Sequence, residues 1–332
     1  MLVLIPHLFP TKQLLKAAAP DLCLPALQSL LARGIRQPCP DDGVEAALCE
    51  TLGIKRQQDW PLAPITLAAD GGEAGEAYWL RADPVHLRVM RDRIVLTDGD
   101  DLSLSREEAD ALAGTVGQHF GADMNPLPLH PRRWYLRFSR APNLTTTPLS
   151  VAVGRDIDPL LPHGADAMRF RAQLNELQML LHEHPVNQAR EARGELPVNS
   201  LWLWGGGHPP VSPARPVAIY THNAEAQALG AFCNAHVRAL PPQLDPLLLA
   251  ADGVILLDGL TRSGQYGDAC GWRESLRELE RDWFVPLLGM LRKIGPQGLC
   301  LLDPIGGKAL HLQARDAWKF WRRPHRLITM LS

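Results

Sequence analysis

The chain has 332 residues, of which 46% are hydrophobic, and a formal net charge of −2. This length and composition predict one large or two ordinary globular domains with a substantial core. Because there is no basic excess, neither nucleic acid nor an anionic membrane is expected as a partner. No apolar run approaches the ~18 residues that a membrane span needs.

The N-terminal sequence and the cysteines indicate the expected location of the protein and the redox state of its thiols. The stretch "MLVLIPHLFPTKQLL" has no basic region, and Pro6 and Pro10 interrupt its apolar run, so no signal peptide is expected. The six cysteines show neither a C-x-x-C motif nor zinc spacing. We therefore expect buried, reduced thiols in a cytoplasmic protein. The cysteines are Cys23, Cys39, Cys49, Cys233, Cys270 and Cys300.

The first part of the chain has an α/β pattern. "LVLIP" predicts a short buried strand. "PALQSLLARG" predicts a helix, with proline at its start and glycine at its end, and "GVEAALCETLG" predicts another. A strand followed by helices favours a parallel α/β sheet.

The middle of the chain has a different pattern. "EAYWLRADPVHLRVMRDRIVLTD" predicts two strands and "RRWYLRFS" a further one. "SREEADALAGTVGQHFG" predicts a helix capped by Ser103 or Ser105. A long helix, "DAMRFRAQLNELQMLLHEH", is expected to end at Pro185. Together these elements indicate an α+β unit.

After "WLWGGG" the α/β pattern returns. "PVAIYTH" and "DGVILLD" predict strands, with the helix "AEAQALGAFCNAH" between them. "WRESLRELERDWFVPLLGMLRKIG" predicts one long amphipathic helix, and "GLCLLD" a final buried strand.

The predicted architecture follows from this change of pattern and its return. Residues 1–75 and 211–332 are expected to form an α/β core, with a mainly parallel sheet flanked by helices. Residues 76–210 are expected to form an inserted α+β domain.

Several polar stretches allow a functional and a structural interpretation. Two residues apart, His182 and His184 point in different directions on a helix and suit a helix end or a ligand contact better than a shared metal. Arg190 and Arg193 lie on one face of a predicted short helix. They could bind a carboxylate or phosphate, or form a salt-bridged solvated face. Glycines Gly205–Gly207 could offer N–H groups to an anion or simply make a turn.

Two further segments carry charge at predicted loops. The loop "GRDIDPLLPHG" contains Asp156, Asp158 and His163, which could bind a ligand or serve as turn and cap residues. Asp258 and Asp303 follow predicted strands of the α/β part, where such sheets bind ligands.

The stretch "HEHPVNQAREARGELPVNSLWLWGGG" resembles the "HPVN-x-x-R…G-x-x-PAN-x-x-W-x-WG-x-G" region of archaeal-type, cofactor-independent phosphoglycerate mutases. "DIDPLLPHG" is similar to that family's "D-x-DPH-x-x-G" loop, with the histidine displaced to His163. The resemblance is colinear over most of the chain and is closer still to a bacterial offshoot, the RpfE-type regulatory proteins. It implies an alkaline-phosphatase-like α/β core with an inserted α+β domain.

The residues that would carry this family's chemistry are largely replaced. After the first strand, where the family has a metal-binding aspartate, the chain has Pro6 and His7. The place of the nucleophilic serine reads "GVEAA". "LDGLTRSGQYGD" clearly keeps only Asp268 of the metal ligands, and "LLDP" keeps Asp303 but has Pro304 in place of a histidine.

The reaction of the family that the chain resembles determines which function is expected. Phosphoryl transfer of that kind needs a nucleophile and about six or seven Asp and His ligands for two cations. We therefore expect no mutase activity and no cofactor. The resemblance implies that Asn187, Arg190, Asn199 and Gly205–Gly207 are retained, anion-facing residues. The expected protein is non-catalytic, regulatory or phospho-ligand-binding, with a small anionic ligand or a protein as its partner.

Two other functions are compatible with the sequence. A metal-dependent mutase, or a phosphate-ester hydrolase or transferase with an altered site, would hold one divalent cation with His7, Asp258, Asp268 and Asp303. An interaction module would use the tryptophan-rich stretch "AWKFWRR", residues 317–323, as a binding edge. The competing interpretation of that stretch is packing in a core or a lid.

Overall fold

The computed structural model describes residues 1–97, 102–246, 248, 253–295 and 298–331. The chain forms two compact units. The first unit consists of Met1–Leu48 and Ala214–Ser332, and the second unit is Cys49–Pro213. The first boundary falls earlier than the predicted 75/76, because the helix Leu62–Ala69 packs on strands of the second unit.

The strands and helices are numbered here in chain order. The strands are β1 (Leu2–Leu4), β2 (Ile35–Pro38), β3 (Tyr78–Val89), β4 (Ile94–Thr97), β5 (Leu127–His130), β6 (Arg133–Phe138), β7 (Ser200–Gly207), β8 (Ala218–Tyr220), β9 (His236–Arg238), β10 (Gly253–Leu256), β11 (Leu299–Asp303) and β12 (Lys308–Leu312). The α-helices are α1 (Lys12–Ala18), α2 (Pro25–Arg33), α3 (Val44–Leu52), α4 (Leu62–Ala69), α5 (Arg106–Phe120), α6 (Leu149–Ala152), α7 (Ala167–His182), α8 (Pro185–Ala192), α9 (Ala224–Phe232), α10 (Thr261–Tyr266), α11 (Ala269–Leu279), α12 (Val285–Met290) and α13 (Leu327–Leu331).

The first unit is built on a seven-stranded sheet with the order β2-β12-β11-β1-β10-β8-β9. β1 lies between β10 and β11 and is parallel to both, and β8 and β9 continue the parallel part. This confirms the predicted mixed α/β fold with a largely parallel sheet and flanking helices. Two strands at one edge of the sheet, β2 and β12, were not predicted; β12 runs antiparallel to both β11 and β2.

A hydrogen bond between distant elements fixes the start of α2. Leu24, which precedes this helix, gives no side-chain cap. Instead the buried carboxylate of Glu280 accepts from the backbone N–H groups of Ala26, at 2.6 Å, and Leu27, at 2.9 Å. These are N–H groups of the first helical turn, which have no partner within the helix, and a negative charge there is favourable.

The predicted long helix after Ala269 is interrupted. Between α11 and α12, residues Glu280–Phe284 form a π-helical segment. Pro286 cannot donate to the carbonyl of Asp282 four residues earlier. That carbonyl instead accepts from the N–H of Leu244 at 2.9 Å. A proline and a change of hydrogen-bond partner therefore explain why one continuous α-helix does not form.

The second unit has its own five-stranded sheet. β3 pairs antiparallel with β4, β6 and β7, and β5 pairs with β6. Helices α5 and α7 contribute to a separate buried cluster with this sheet. Ser105 caps α5 through a capping box with Glu108, which selects Ser105 from the two predicted caps. The predicted α+β character of this part is therefore present.

Two sequence-based expectations need correction. All six cysteines are free, but Cys23 and Cys270 are exposed, so the thiols are not uniformly buried. Trp318 is 56% exposed, Phe320 75% and Trp321 65%, so the aromatic side chains of the tryptophan-rich stretch are not core residues, although Ala317 packs against the core. Within the described ranges, no helix has the length and apolar character to cross a membrane.

Candidate functional site

Asp303 lies at the carboxyl end of β11, beside the end of β1, and is fully buried. Its carboxylate accepts hydrogen bonds from the backbone N–H groups of His7 at 3.0 Å, Phe9 at 2.7 Å, Ile305 at 3.0 Å and Gly306 at 2.9 Å. Burial raises the pKa of Asp303, and these four hydrogen bonds act in the opposite direction. The side chain joins the loop after β1 to the turn between β11 and β12.

His7 is held in an uncommon conformation. Its φ angle is 63°, in the left-handed region that non-glycine residues rarely adopt. Its backbone carbonyl accepts from the indole of Trp272 at 3.0 Å. Its ring lies against α10, because a Cβ added to Gly264 would approach its Cγ to 2.3 Å. Gly264 therefore allows this close packing, and the loop after β1 is tightly fitted.

The remaining metal candidates do not join Asp303. Asp268 is the N-cap of α11, and one carboxylate oxygen accepts from the N–H groups of Cys270 at 3.1 Å and Gly271 at 3.0 Å. Asp258 is half-buried beyond β10, and burial raises its pKa. Among the described residues, no group of three or more His, Cys, Asp or Glu side chains could hold a metal. The convergence of His7, Asp258, Asp268 and Asp303 on one cation, considered as an alternative, therefore has no support among the described residues.

In the second unit, Arg190 is completely buried in α8 and bonded to protein atoms. Its Nη1 donates to Glu108 Oε2 at 2.7 Å and its Nε to the carbonyl of Leu196 at 2.9 Å. Its Nη2 donates to the carbonyl of Leu102. Arg190 therefore links helix α8 to the first turn of α5 and to the backbone segments on either side. The expected anion pocket at Arg190 is not formed, because the guanidinium faces these internal acceptors.

The neighbouring Arg193 is half-exposed and shares the carboxylates of that cluster. It donates to Glu108 at 2.7 Å and to Glu195 at 2.8 Å. The two hydrogen bonds raise the pKa of Arg193, and hydrogen bonding to Arg193 lowers the pKa of Glu195. The contacts of Arg193 therefore match the salt-bridged, solvated face that the sequence allowed.

Asn187 and Asn199 each tie backbone segments together. The buried Asn187 donates to the carbonyls of Leu181 and Val198, both at 2.7 Å, and accepts from the N–H of Val198 at 2.9 Å. Asn199 accepts from the N–H of Leu87 at 2.7 Å and donates to its carbonyl at 2.9 Å. Neither side chain presents these atoms to a ligand, contrary to what the resemblance implied.

The histidines before α8 act at helix termini. α7 ends at His182, earlier than the predicted stop at Pro185, and Pro185 begins α8 instead. His184 is the N-cap of α8: its Nδ1 accepts from the N–H of Val186 at 3.2 Å, and its Nε2 lies 3.0 Å from Thr115 Oγ1. Burial lowers the pKa of His184, which favours the neutral ring that this capping requires.

Gly205, Gly206 and Gly207 belong to β7 and do not form a loop. A Cβ on Gly206 would lie 2.2 Å from Tyr78 Oη, and one on Gly207 would lie 2.5 Å from Pro61 Cβ. Gly205 has a φ of 67°, and its N–H donates to Thr146 Oγ1 at 3.2 Å. The predicted close backbone approach is real, but protein atoms of the second unit occupy the space expected for an anion.

Gly207→Ala is expected to lower the free energy of unfolding of the second unit by about 1–3 kcal/mol, the usual effect of overpacking. The added methyl meets a stiff proline ring, so the backbone must move. Chemical denaturation of both proteins measures the difference. Gly114→Ala is the matched control, because its Cβ meets nothing within 4 Å and alanine favours helix α5. Unchanged stability of Gly207→Ala would contradict this packing.

The predicted site residues of the loop at residues 154–164 contact only protein atoms, and the backbone of Asp156 forms an isolated β-bridge with Val95. Asp156 is half-buried, and its carboxylate accepts weakly from the N–H of Asp158 at 3.4 Å. His163 is exposed, and its backbone pairs with Thr145. This arrangement matches the turn interpretation of the loop, and Asp158 remains exposed.

One basic cleft was not predicted from the sequence, although the possible binding edge at residues 317–323 includes two of its arginines, Arg322 and Arg323. In the first unit, a cleft of about 570 Å³ has Arg36, Arg322, Arg323 and His325 in its lining. The signal was present as "RRPHR", residues 322–326, next to the exposed aromatic side chains. Arg36 could not have been assigned to it, because it lies almost 300 positions away in an unpredicted strand.

Comparison with known proteins gives a consistent set of sequence relatives. Over 200 residues the chain is 28% identical to the 2,3-bisphosphoglycerate-independent phosphoglycerate mutase of Methanosarcina mazei, covering 56% of this chain and 49% of that protein. Over 153 residues it is 29% identical to a probable enzyme of the same name from Geobacter sulfurreducens, covering 45% and 38%. The matches thus span about half or less of these relatives. No protein-family model matches the chain.

Solved structures give a weaker likeness. A cofactor-independent phosphoglycerate mutase from Thermoplasma acidophilum aligns with a TM-score of 0.44 and 17% identity, covering 94% of this chain and 88% of that one. A protein from Pyrococcus horikoshii aligns with a TM-score of 0.48 and 15% identity, covering 96% and 91%. The sequence matches alone support the conclusion that the relatives of this chain are cofactor-independent phosphoglycerate mutases.

Proposed function

We propose that this chain is a phosphoglycerate-mutase-like protein that binds a ligand or partner without catalysing phosphoryl transfer. The observation that carries the proposal is the environment of Asp303. Resemblance to the mutases makes this aspartate a retained metal ligand. Here three backbone N–H groups bond to its Oδ1 and a fourth to its Oδ2, so the carboxylate serves the backbone of two loops.

The other positions expected to carry mutase chemistry support the same proposal. Asp268 caps α11, and the ring of His7 is packed against α10. Gly43 stands at the position expected for the nucleophile, with a φ of 102° and an N–H that donates to the carbonyl of Pro304 at 3.1 Å. Without a hydroxyl at that position, the phosphorylated serine intermediate cannot form. The residues present do not fit a pair of catalytic cations.

The proposed role is regulatory, as in the RpfE-type offshoot that the sequence resembles. The ligand is a small organic anion, or the partner is another protein. The internal bonding of Arg190 and Asn187 gives these residues the function of maintaining the second unit. Recognition would therefore use another part of the chain.

We expect no interconversion of 3-phosphoglycerate and 2-phosphoglycerate above background with either Mn²⁺ or Mg²⁺. The reason is that neither a serine nucleophile nor a cluster of metal ligands is present among the described candidates. A coupled enzymatic assay measures this turnover, with the Methanosarcina mazei relative as positive control. Robust turnover by the purified chain would overturn the non-catalytic proposal.

The same preparation tests the alternative of an altered phosphate-ester hydrolase or transferase. Release of 4-nitrophenol from 4-nitrophenyl phosphate in the presence of Mn²⁺ would favour that alternative. In that case the activity should disappear in Asp258→Asn and persist in Asp158→Asn. Absence of release would leave the binding role as the supported function.

A further inference from the structure

The cleft in the first unit lies where four segments meet. Its lining comes from the end of α2, the beginning of β2, the segment Arg322–His325 and helix α13. Its volume, about 570 Å³, is within the range of about 300–1,000 Å³ for small-molecule sites. The cleft is open to solvent and large enough to hold part of a small organic molecule.

The charge in this cleft has one sign. Arg36, Arg322, Arg323 and His325 line it, and none of the lining residues that the structure describes carries a carboxylate. Within the part of the chain that the structure describes, none of the three arginines forms a salt bridge. The chain as a whole carries a net charge of −2, so this is a local concentration of positive charge. Such a cleft attracts anions.

Two of the guanidinium groups are oriented by neutral acceptors. Arg36 Nη1 donates to the carbonyl of Met330 at 2.6 Å. Arg322 Nη1 lies 3.5 Å from the carbonyl of Ala32, a longer contact. These bonds hold the side chains at the cleft without neutralising their charge. A guanidinium has five N–H donors, so the others remain able to bind a planar or tetrahedral anion in bidentate fashion.

The same cleft offers apolar surface. Leu31 and Met330 are buried in its wall, and Ile35 is 50% exposed beside Arg36. The exposed Phe320 and Trp321 immediately precede its two arginines in sequence. A ligand with an anionic group and an apolar body would satisfy both kinds of surface. A simple inorganic anion would use only the arginines.

We propose that this cleft binds a small organic anion, whose phosphate or carboxylate group pairs with Arg36, Arg322 and Arg323 while its apolar part covers Ile35. This deepens the proposed function, since it assigns a place to the anionic ligand, and it rests on the binding role proposed above. The cleft takes the place of the anion site expected around Arg190.

Isothermal titration with phenyl phosphate and with benzoate tests the proposal. Arg322→Gln combined with Arg323→Gln should weaken binding of at least one of these anions by at least about tenfold, the worth of one charged hydrogen bond. The matched control is Arg215→Gln with Arg238→Gln, which removes the same charge from exposed positions of the first unit outside the cleft lining. This control should bind like the unaltered protein. Benzyl alcohol, which lacks the charge, should bind much more weakly than either anion.

The other possible outcomes would contradict the proposal that this cleft binds an organic anion. Equal affinity of the cleft variant and the control, or no binding of either organic anion, would overturn the proposal. Equal affinity for inorganic phosphate and phenyl phosphate would contradict the part assigned to Ile35. Sedimentation with phosphatidylserine vesicles, without binding of the soluble anions, would indicate a membrane surface instead. None of these results changes the mutase assay, so failure of the cleft and failure of the non-catalytic role are distinguishable.

Discussion

Asp303→Ala is expected to lower the free energy of unfolding of the first unit by about 4 kcal/mol or more, since a hydrogen-bond donor left without an acceptor costs about 1–3 kcal/mol. Four backbone N–H groups, from the loop after β1 and the turn after β11, lose their shared acceptor at once. The cavity left at a fully buried position adds to the loss. Chemical denaturation followed by tryptophan fluorescence measures the change.

The control for this variant is Asp258→Ala. Asp258 also follows a strand of the parallel sheet, but it is only half-buried and does not bridge two loops through a shared set of N–H groups. Its replacement should cost much less than that of Asp303. If both variants unfold at the same denaturant concentration as the unaltered protein, the structural role assigned to Asp303 is wrong.

Arg190→Ala is expected to destabilise the second unit by about 3–5 kcal/mol, the usual cost of removing one partner of a buried ion pair. The side chain is buried, and the carbonyls of Leu102 and Leu196 lose a charged donor. Glu108 then keeps the half-exposed Arg193 and the N–H of Ser105 as partners. Chemical denaturation measures the loss of stability.

Arg193→Ala provides the comparison within the same cluster. This side chain binds the same carboxylate but is 49% exposed, so its pairs are worth at most about 1 kcal/mol. Titration of both variants with phosphate separates structure from binding. We expect Arg190→Ala to lose stability without losing affinity for phosphate, if the protein remains folded under the titration conditions. Affinity lost with stability retained would restore an anion pocket at Arg190.

The local parts of the fold could be predicted from the sequence. The capping box marks the start of α5, and its two members, Ser105 and Glu108, are only three residues apart in sequence. The residue pattern of the sequence locates β3 and β6, although buried positions do not alternate in them, and the apolar runs locate β1 and β10. In each case the signal lies within the element itself, so no knowledge of distant contacts is needed.

The site was harder to predict because its contacts are distant in sequence. Arg190 pairs with Glu108 across 82 positions, and its guanidinium also lies 3.5 Å from the carboxylate of Glu195, a near neighbour in sequence. Asp303 accepts from His7 across 296 positions. The glycines of β7 correctly indicated a close backbone approach, but sequence cannot say whether protein or ligand makes it. Partners close in sequence could therefore be inferred, whereas the distant partners of Arg190 and Asp303 could not.

The most direct test of the proposed function is isothermal titration of the purified, metal-free chain with MnCl₂. If the carboxylates at the strand ends serve only the fold, the titration should show no stoichiometric binding, and the unfolding temperature should not rise with Mn²⁺. Binding of two Mn²⁺ per chain, with stabilisation that Asp303→Asn abolishes, would contradict the account. It would show that the backbone N–H groups around Asp303 give way to a catalytic metal centre.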